Sequence, residues 1–104
     1  MPFELKYTVE AQKQFDELSK DKNLEKRFKA VKKSLNFLSQ DPSYPSLKTH
    51  KYDSIKGPQG VEVFEAYAEN KTPAAYRIFW CYYPPKTDPE AIGTITVLAI
   101  TPHP

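Results

Sequence analysis

Glycine, cysteine, arginine and histidine are all scarce in this chain of 104 residues. Three glycines, Gly57, Gly60 and Gly93, are too few and too scattered to build a phosphate-cradling loop, and no Gly-x-Ser-x-Gly elbow occurs. The single cysteine, Cys81, excludes an intramolecular disulfide and any cysteine-rich metal site. Inside a strand it reads as a small core residue rather than a nucleophile. The two histidines, His50 and His103, lack the His-Glu-x-x-His spacing of a zinc hydrolase, so neither a metal nor a small-molecule cofactor is expected. No apolar run approaches the roughly 20 residues that cross a bilayer. The opening Met-Pro-Phe-Glu-Leu-Lys lacks the basic-then-apolar order of a secretory signal. A soluble, cytoplasmic protein without a membrane partner is expected.

What is present suits one folded domain over residues 1–104, with 39% hydrophobic and 13% aromatic residues to fill a core. Net charge is only +2, from 15 basic and 13 acidic side chains, and by itself predicts no polyanionic partner. The distribution is uneven. Residues 1–56 carry 12 basic and 8 acidic groups, residues 57–104 carry 3 and 5, and residues 20–33 alone hold seven basic against two acidic.

Phe3, Leu5, Tyr7 and Val9 alternate with Glu4, Lys6 and Thr8, which predicts a short half-buried strand. Thr8 can cap a helix whose Ala11, Phe15 and Leu18 share one stripe. Asp21 can cap a longer helix, in which Leu24, Phe28, Val31, Leu35 and Leu38 keep the helical period until Asp41-Pro42 ends it. Its outer face carries Lys22, Lys26, Lys29, Lys32 and Lys33, either a solvated face or a surface for nucleic acid. Residues 42–60 read as one long irregular connection holding the basic-aromatic run Leu47-Lys48-Thr49-His50-Lys51-Tyr52. Val61–Ala68, Ala74–Tyr83 and Thr94–Thr101 are rich in β-branched and aromatic residues and predict three strands. Helices grouped before strands, in the order β-α-α-β-β-β, predict an α+β fold with two helices packed on a small antiparallel sheet. The sheet's other face is then left to solvent or a partner.

Arg77 lies within the strand Tyr76-Arg77-Ile78-Phe79-Trp80. A guanidinium on a sheet face needs a partner. A hairpin symmetric about Lys71 sets Glu65 opposite Arg77, as a cross-strand ion pair worth up to about 1 kcal/mol. Alternatively, or in addition, Arg77 is a fixed cation able to grip a phosphate bidentately. His103, between two prolines, could act as acid or base near neutral pH beside Arg77. His50, Lys48, Lys51 and Tyr52 together offer cations and a stacking face for RNA.

The segments Pro-Ser-Leu-Lys (45–48), Val-Phe-Glu-Ala-Tyr (63–67), Tyr-Arg-Ile-Phe-Trp (76–80) and Leu-Ala-Ile-Thr-Pro-His (98–103), following two helices, resemble the RelE/ParE superfamily of bacterial toxins. The resemblance spans nearly the whole chain. It implies the RelE-like fold and, for the RelE-like branch, a ribosome-dependent endoribonuclease that cuts mRNA and is neutralised by a cognate antitoxin. Arg77 matches the strand arginine that contacts the scissile phosphate, His103 the position of a C-terminal catalytic residue, and Lys48 a basic residue that binds RNA or ribosome. His50, Lys51 and Glu65 are added on physical grounds, with Lys26, Lys29 and Lys33 as further ribosome-contacting candidates and Glu65 as a support for Arg77. Two other functions fit the same pattern. The ParE-like branch implies a non-enzymatic inhibitor of DNA gyrase, and near-neutral charge fits a domesticated, non-toxic binding domain.

Overall fold

The computed structural model describes residues 2–103. In chain order these form strand β1 (Glu4–Tyr7), helices α1 (Val9–Lys20) and α2 (Glu25–Gln40), and strands β2 (His50–Lys56), β3 (Glu62–Tyr67), β4 (Tyr76–Tyr82) and β5 (Thr94–Pro102). Thr8 stays extended, and its Oγ1 accepts the Ala11 amide at 3.0 Å, which starts α1. Asp21 caps a single 3₁₀ turn, Lys22–Leu24, that leads into α2, rather than capping α2 itself. At the far end the Asp41 carboxylate takes the amide and hydroxyl of Ser43, at 2.9 and 2.7 Å, and these hydrogen bonds hold its pKa below the usual carboxylate value.

The strands form one five-stranded sheet in the order β1-β5-β4-β3-β2. The α+β class and the two helices are as expected, but the sheet differs from a small antiparallel one in two ways. β1 pairs with β5 in parallel, so the sheet is mixed. A further strand, β2, also lies inside the segment expected to be irregular, giving the order β-α-α-β-β-β-β. Five of its seven residues are polar or charged and most are exposed, so no apolar alternation marks it. It is a strand because its backbone pairs with β3, through His50↔Glu65 and Lys51↔Phe64 before a register shift and Lys56↔Glu62 after it. A charged, irregular edge of this kind also resists pairing with another chain.

Both helices cover one face of the sheet. Ala11 and Leu18 of α1 and Val31, Leu35 and Leu38 of α2 pack on Ala66, Ile78, Trp80, Ile95, Val97 and Ile100, all buried. The β5 members of this set break simple alternation. Phe79 faces Ala99 while Trp80 faces Val97, so Leu98 is an inserted residue and β5 bulges there. Without the bulge, the face of Ile95 and Val97 would continue through residues 99, 101 and 103. With it, Ile100 returns to the core and Ala99, Thr101 and His103 turn to the helix-free face. Two α1-side residues satisfy the backbone the bulge frees: Thr8 Oγ1 donates to the Leu98 carbonyl (2.9 Å) and Gln14 Oε1 accepts the Ile100 amide (2.7 Å).

Replacing Gln14 by Leu strands the Ile100 amide and is expected to cost about 1–3 kcal/mol. Gln14→Glu keeps an acceptor and should cost less than half of that. Urea midpoints at unchanged slope measure both, and equal losses in the two variants would contradict this account of the bulge.

Candidate functional site

The sheet face without helices gathers the chemistry. β4 places Arg77, Phe79 and Cys81 there, β3 adds Glu65 and Tyr67, β2 adds His50 and Tyr52, and the bulged β5 leads His103 to the same side. The β3–β4 register is two residues from the symmetric hairpin: Tyr67 lies opposite Arg77, and Glu65 opposite Phe79. A shift of two preserves the face, so Glu65 and Arg77 remain neighbours along a diagonal. Arg77 Nε stands 4.0 Å from Glu65 Oε2, a charge contact without a hydrogen bond, and the Arg77 side chain stacks instead on Tyr67, Cζ 3.7 Å from the ring centroid.

Glu65 is the centre of the cluster, with its side chain 1% exposed. An unpaired carboxylate at that depth costs several kcal/mol. Three cationic or proton-bearing groups offset this. His103 Nδ1 is 2.6 Å from Oε2, His50 Nε2 is 2.7 Å from Oε1, and Arg77 lies behind. An ionised carboxylate only accepts, which assigns the proton of His103 to Nδ1. Nε2 of His103 then has no hydrogen-bond partner among the described residues, and its half-exposed ring can take or give a proton there. His50 is engaged at both ends, with Nδ1 2.9 Å from the Lys48 carbonyl, an arrangement that suits a doubly protonated ring. Lys48 itself adopts a left-handed conformation (φ 48°, ψ 40°) at the end of the turn Pro45–Leu47, and its Nζ lies 5.6 Å from the Tyr67 ring centroid. The half-exposed imidazoles and Lys48 thus border one aromatic ring and one carboxylate above the buried Arg77 guanidinium, a local concentration of cationic and proton-bearing groups suited to an anion.

Of the residues singled out in the sequence, Arg77, His103, His50, Glu65 and Lys48 come together. Tyr52 lies on the same face, packed edge-on against Phe79 at 4.9 Å. Lys51 does not join them: it pairs with Phe64 on the alternate face and holds Glu62 at 3.5 Å. Lys26, Lys29 and Lys33 belong to α2, in the layer across the sheet from Glu65. There Lys29 pairs with Glu25 at 3.4 Å and Lys33 lies over Phe37. Tyr67 was missed because its role depends on the hairpin register. Burial pushes the Cys81 thiol above its ordinary pKa, which leaves it a poor nucleophile. Among the described residues no three His, Cys, Asp or Glu side chains are arranged to hold a metal ion, and no helix is long and apolar enough to cross a membrane.

Two helices on one face of a five-stranded mixed sheet make up a RelE-like fold. Among solved structures, the chain is similar to the YoeB dimer from Staphylococcus aureus, with a TM-score of 0.63 over 99% of each chain and 10% sequence identity. At that identity the likeness is one of fold. No protein-family model matches the chain, and no curated protein matches it.

Glu65→Ala should destabilise the protein by about 3–5 kcal/mol, because it leaves the buried Arg77 guanidinium without its anion. Above the histidine titration range, ring ¹⁵N shifts should show His103 protonated at Nδ1 in the parent protein and redistributed toward Nε2 in Glu65→Ala. An unchanged tautomer would show that Glu65 does not orient the ring.

Proposed function

We propose that the protein is the toxin of a toxin–antitoxin pair, and that its Glu65 cluster cleaves mRNA on the ribosome. The toxin reading is supported by the fold shared with the Staphylococcus aureus YoeB structure. The nuclease reading rests on one observation above others: Arg77 and both histidines converge on a single buried carboxylate. A carboxylate that fixes an imidazole through one nitrogen leaves the other positioned for proton transfer.

The reaction is attack of an RNA 2′-hydroxyl on the adjacent phosphate. One group removes the 2′-hydroxyl proton, the 2′-oxygen bonds to phosphorus, the bond to the 5′-oxygen breaks, and that oxygen takes a proton. The products are a 2′,3′-cyclic phosphate and a 5′-hydroxyl. His103, open at Nε2, is assigned proton transfer, and His50, held at both ring nitrogens, is assigned the second proton transfer by releasing the Lys48 carbonyl. Arg77 balances charge developing on the phosphoryl oxygens, and Lys48, whose Nζ lies 5.6 Å from the Tyr67 ring centroid, binds the phosphate. Tyr52 offers a stacking face at the rim, while the lysines of α2 and Lys51 meet ribosomal RNA or the antitoxin away from the chemistry. The proposed residues need no metal for this sequence of steps.

Expression without an antitoxin should arrest growth, and primer extension should find cuts at defined codon positions only in translated messages. His103→Ala should slow cleavage by about 10²–10⁴-fold and Arg77→Ala on the order of 10²–10³-fold. Undiminished cleavage by the double variant would overturn the assignment of chemistry. Gyrase-linked DNA breaks without RNA cuts, or harmless expression, would overturn the nuclease reading itself.

A further inference from the structure

Outside the cluster, one network ties the helical layer to Arg77. Arg27, on α2, reaches Glu69 in the β3–β4 connection, with Nε 2.7 Å from Oε1, and its second guanidinium nitrogen, Nη2, donates to the Pro73 carbonyl at 3.1 Å. Both partners of the ion pair are largely shielded, at 20% and 13% side-chain exposure. Glu69 Oε1 also accepts the Tyr76 amide at 3.1 Å, and Arg27 Cζ lies 4.8 Å from the Tyr76 ring centroid. The residue after Tyr76 is Arg77, whose Nη1 donates to the Glu69 carbonyl at 2.6 Å. The side chain of Glu69 therefore holds one end of the hairpin to α2 while its carbonyl holds the Arg77 guanidinium.

We infer that Arg27 and Glu69 are positioning residues that set the direction of the Arg77 guanidinium. With Nη1 committed to Glu69 and to the Tyr76 carbonyl, and the plane stacked on Tyr67, the Nε side of the group is turned toward Glu65. That Nε is buried and has no hydrogen-bond partner among the described residues, a costly arrangement that only a rigid surround maintains. Arg77 can stack on Tyr67 in more than one rotation about its long side chain. The bond to the Glu69 carbonyl selects one, and the Arg27 ion pair fixes where that carbonyl lies. Arg27 and Arg77 are also the two arginines of the chain.

The consequence for activity rests on the nuclease reading, but the geometry can be tested without it. Two arginine Nε–H signals are expected in a ¹H–¹⁵N spectrum of the whole protein, and Arg27→Met leaves only that of Arg77. In Arg27→Met this remaining signal should move and its hydrogen exchange should quicken by about tenfold or more, the size of effect expected when a local opening becomes easier. Arg27→Lys, which keeps the charge on Glu69 but not the fork to Pro73, should restore part of the protection. Leu38→Ala, which weakens the core at the far end of α2 from Arg27, should leave the signal in place. If the parent protein cleaves RNA, Arg27→Met should lower kcat on the order of 10–10²-fold with little change in KM, as misplacement of a reacting group does. An Arg77 signal unmoved in Arg27→Met would overturn the inference, whether or not the protein is a nuclease. A moved signal in a protein that cuts no RNA would uphold the positioning and sink only the nuclease reading.

Discussion

The buried carboxylate of Glu65 constrains everything around it. A negative charge on the middle of a sheet, shielded from water, is tolerable only if cations and proton donors reach it from several directions. One comes from the edge strand β2 (His50), one from the neighbouring strand β4 (Arg77), and one from beyond the end of β5 (His103). Each has to be delivered by a different piece of backbone, so the fold must hold three strand ends in fixed relation for this one group to be stable. The same arrangement makes the cluster chemically useful, because the groups that stabilise the carboxylate are those that can move protons and bind an anion.

The helical layer controls the opposite face through backbone rather than through direct contact. Thr8 and Gln14 hold the β5 bulge that turns His103 away from the core, and Arg27 holds the hairpin whose carbonyl anchors Arg77. Packing alone requires only apolar stripes on α1 and α2. The polar residues on the margins of these stripes do additional work, since each satisfies a backbone group or charge that a regular sheet would have satisfied itself. Charge follows the same division. The basic surplus of the first half of the chain lies largely on α2, while the cluster depends on a few cations placed around one anion. A small net charge is therefore compatible with a locally cationic site.

Much of the fold is legible from local pattern. The stripe Val31, Leu35, Leu38, the alternation at Glu4–Tyr7 and the aromatic run Tyr76–Tyr82 announce their elements, because burial on one side imposes a period that the sequence must carry. β2 leaves no such trace. It buries little, and a strand held only by backbone hydrogen bonds places few demands on its side chains. The parallel pairing of β1 with β5 is equally silent, because a short alternating segment does not encode which neighbour it takes. Within the site, alternation sufficed to put Glu65 and Arg77 on one face, and the two-residue change in register left that face intact while exchanging the direct neighbour of Arg77 from Glu65 to Tyr67. Lys51 shows the reverse case, where one residue's difference along an unrecognised strand sends a promising cation to the other side.

By itself, then, the sequence determined the α+β class, the two helices with the Thr8 cap of the first, the aromatic strands and the residue types from which a cationic site is built. These follow from short-range periodicity and from side-chain chemistry, which are properties of neighbours along the chain. Only the tertiary structure decided that His50 and His103, 53 positions apart, meet at one carboxylate. It decided this through a single inserted residue at Leu98 and an edge strand with no apolar signature. Side-chain direction in a sheet has a period of two, so one bulge reverses every position beyond it, and that reversal is made by long-range packing and backbone hydrogen bonds rather than by the residues it redirects.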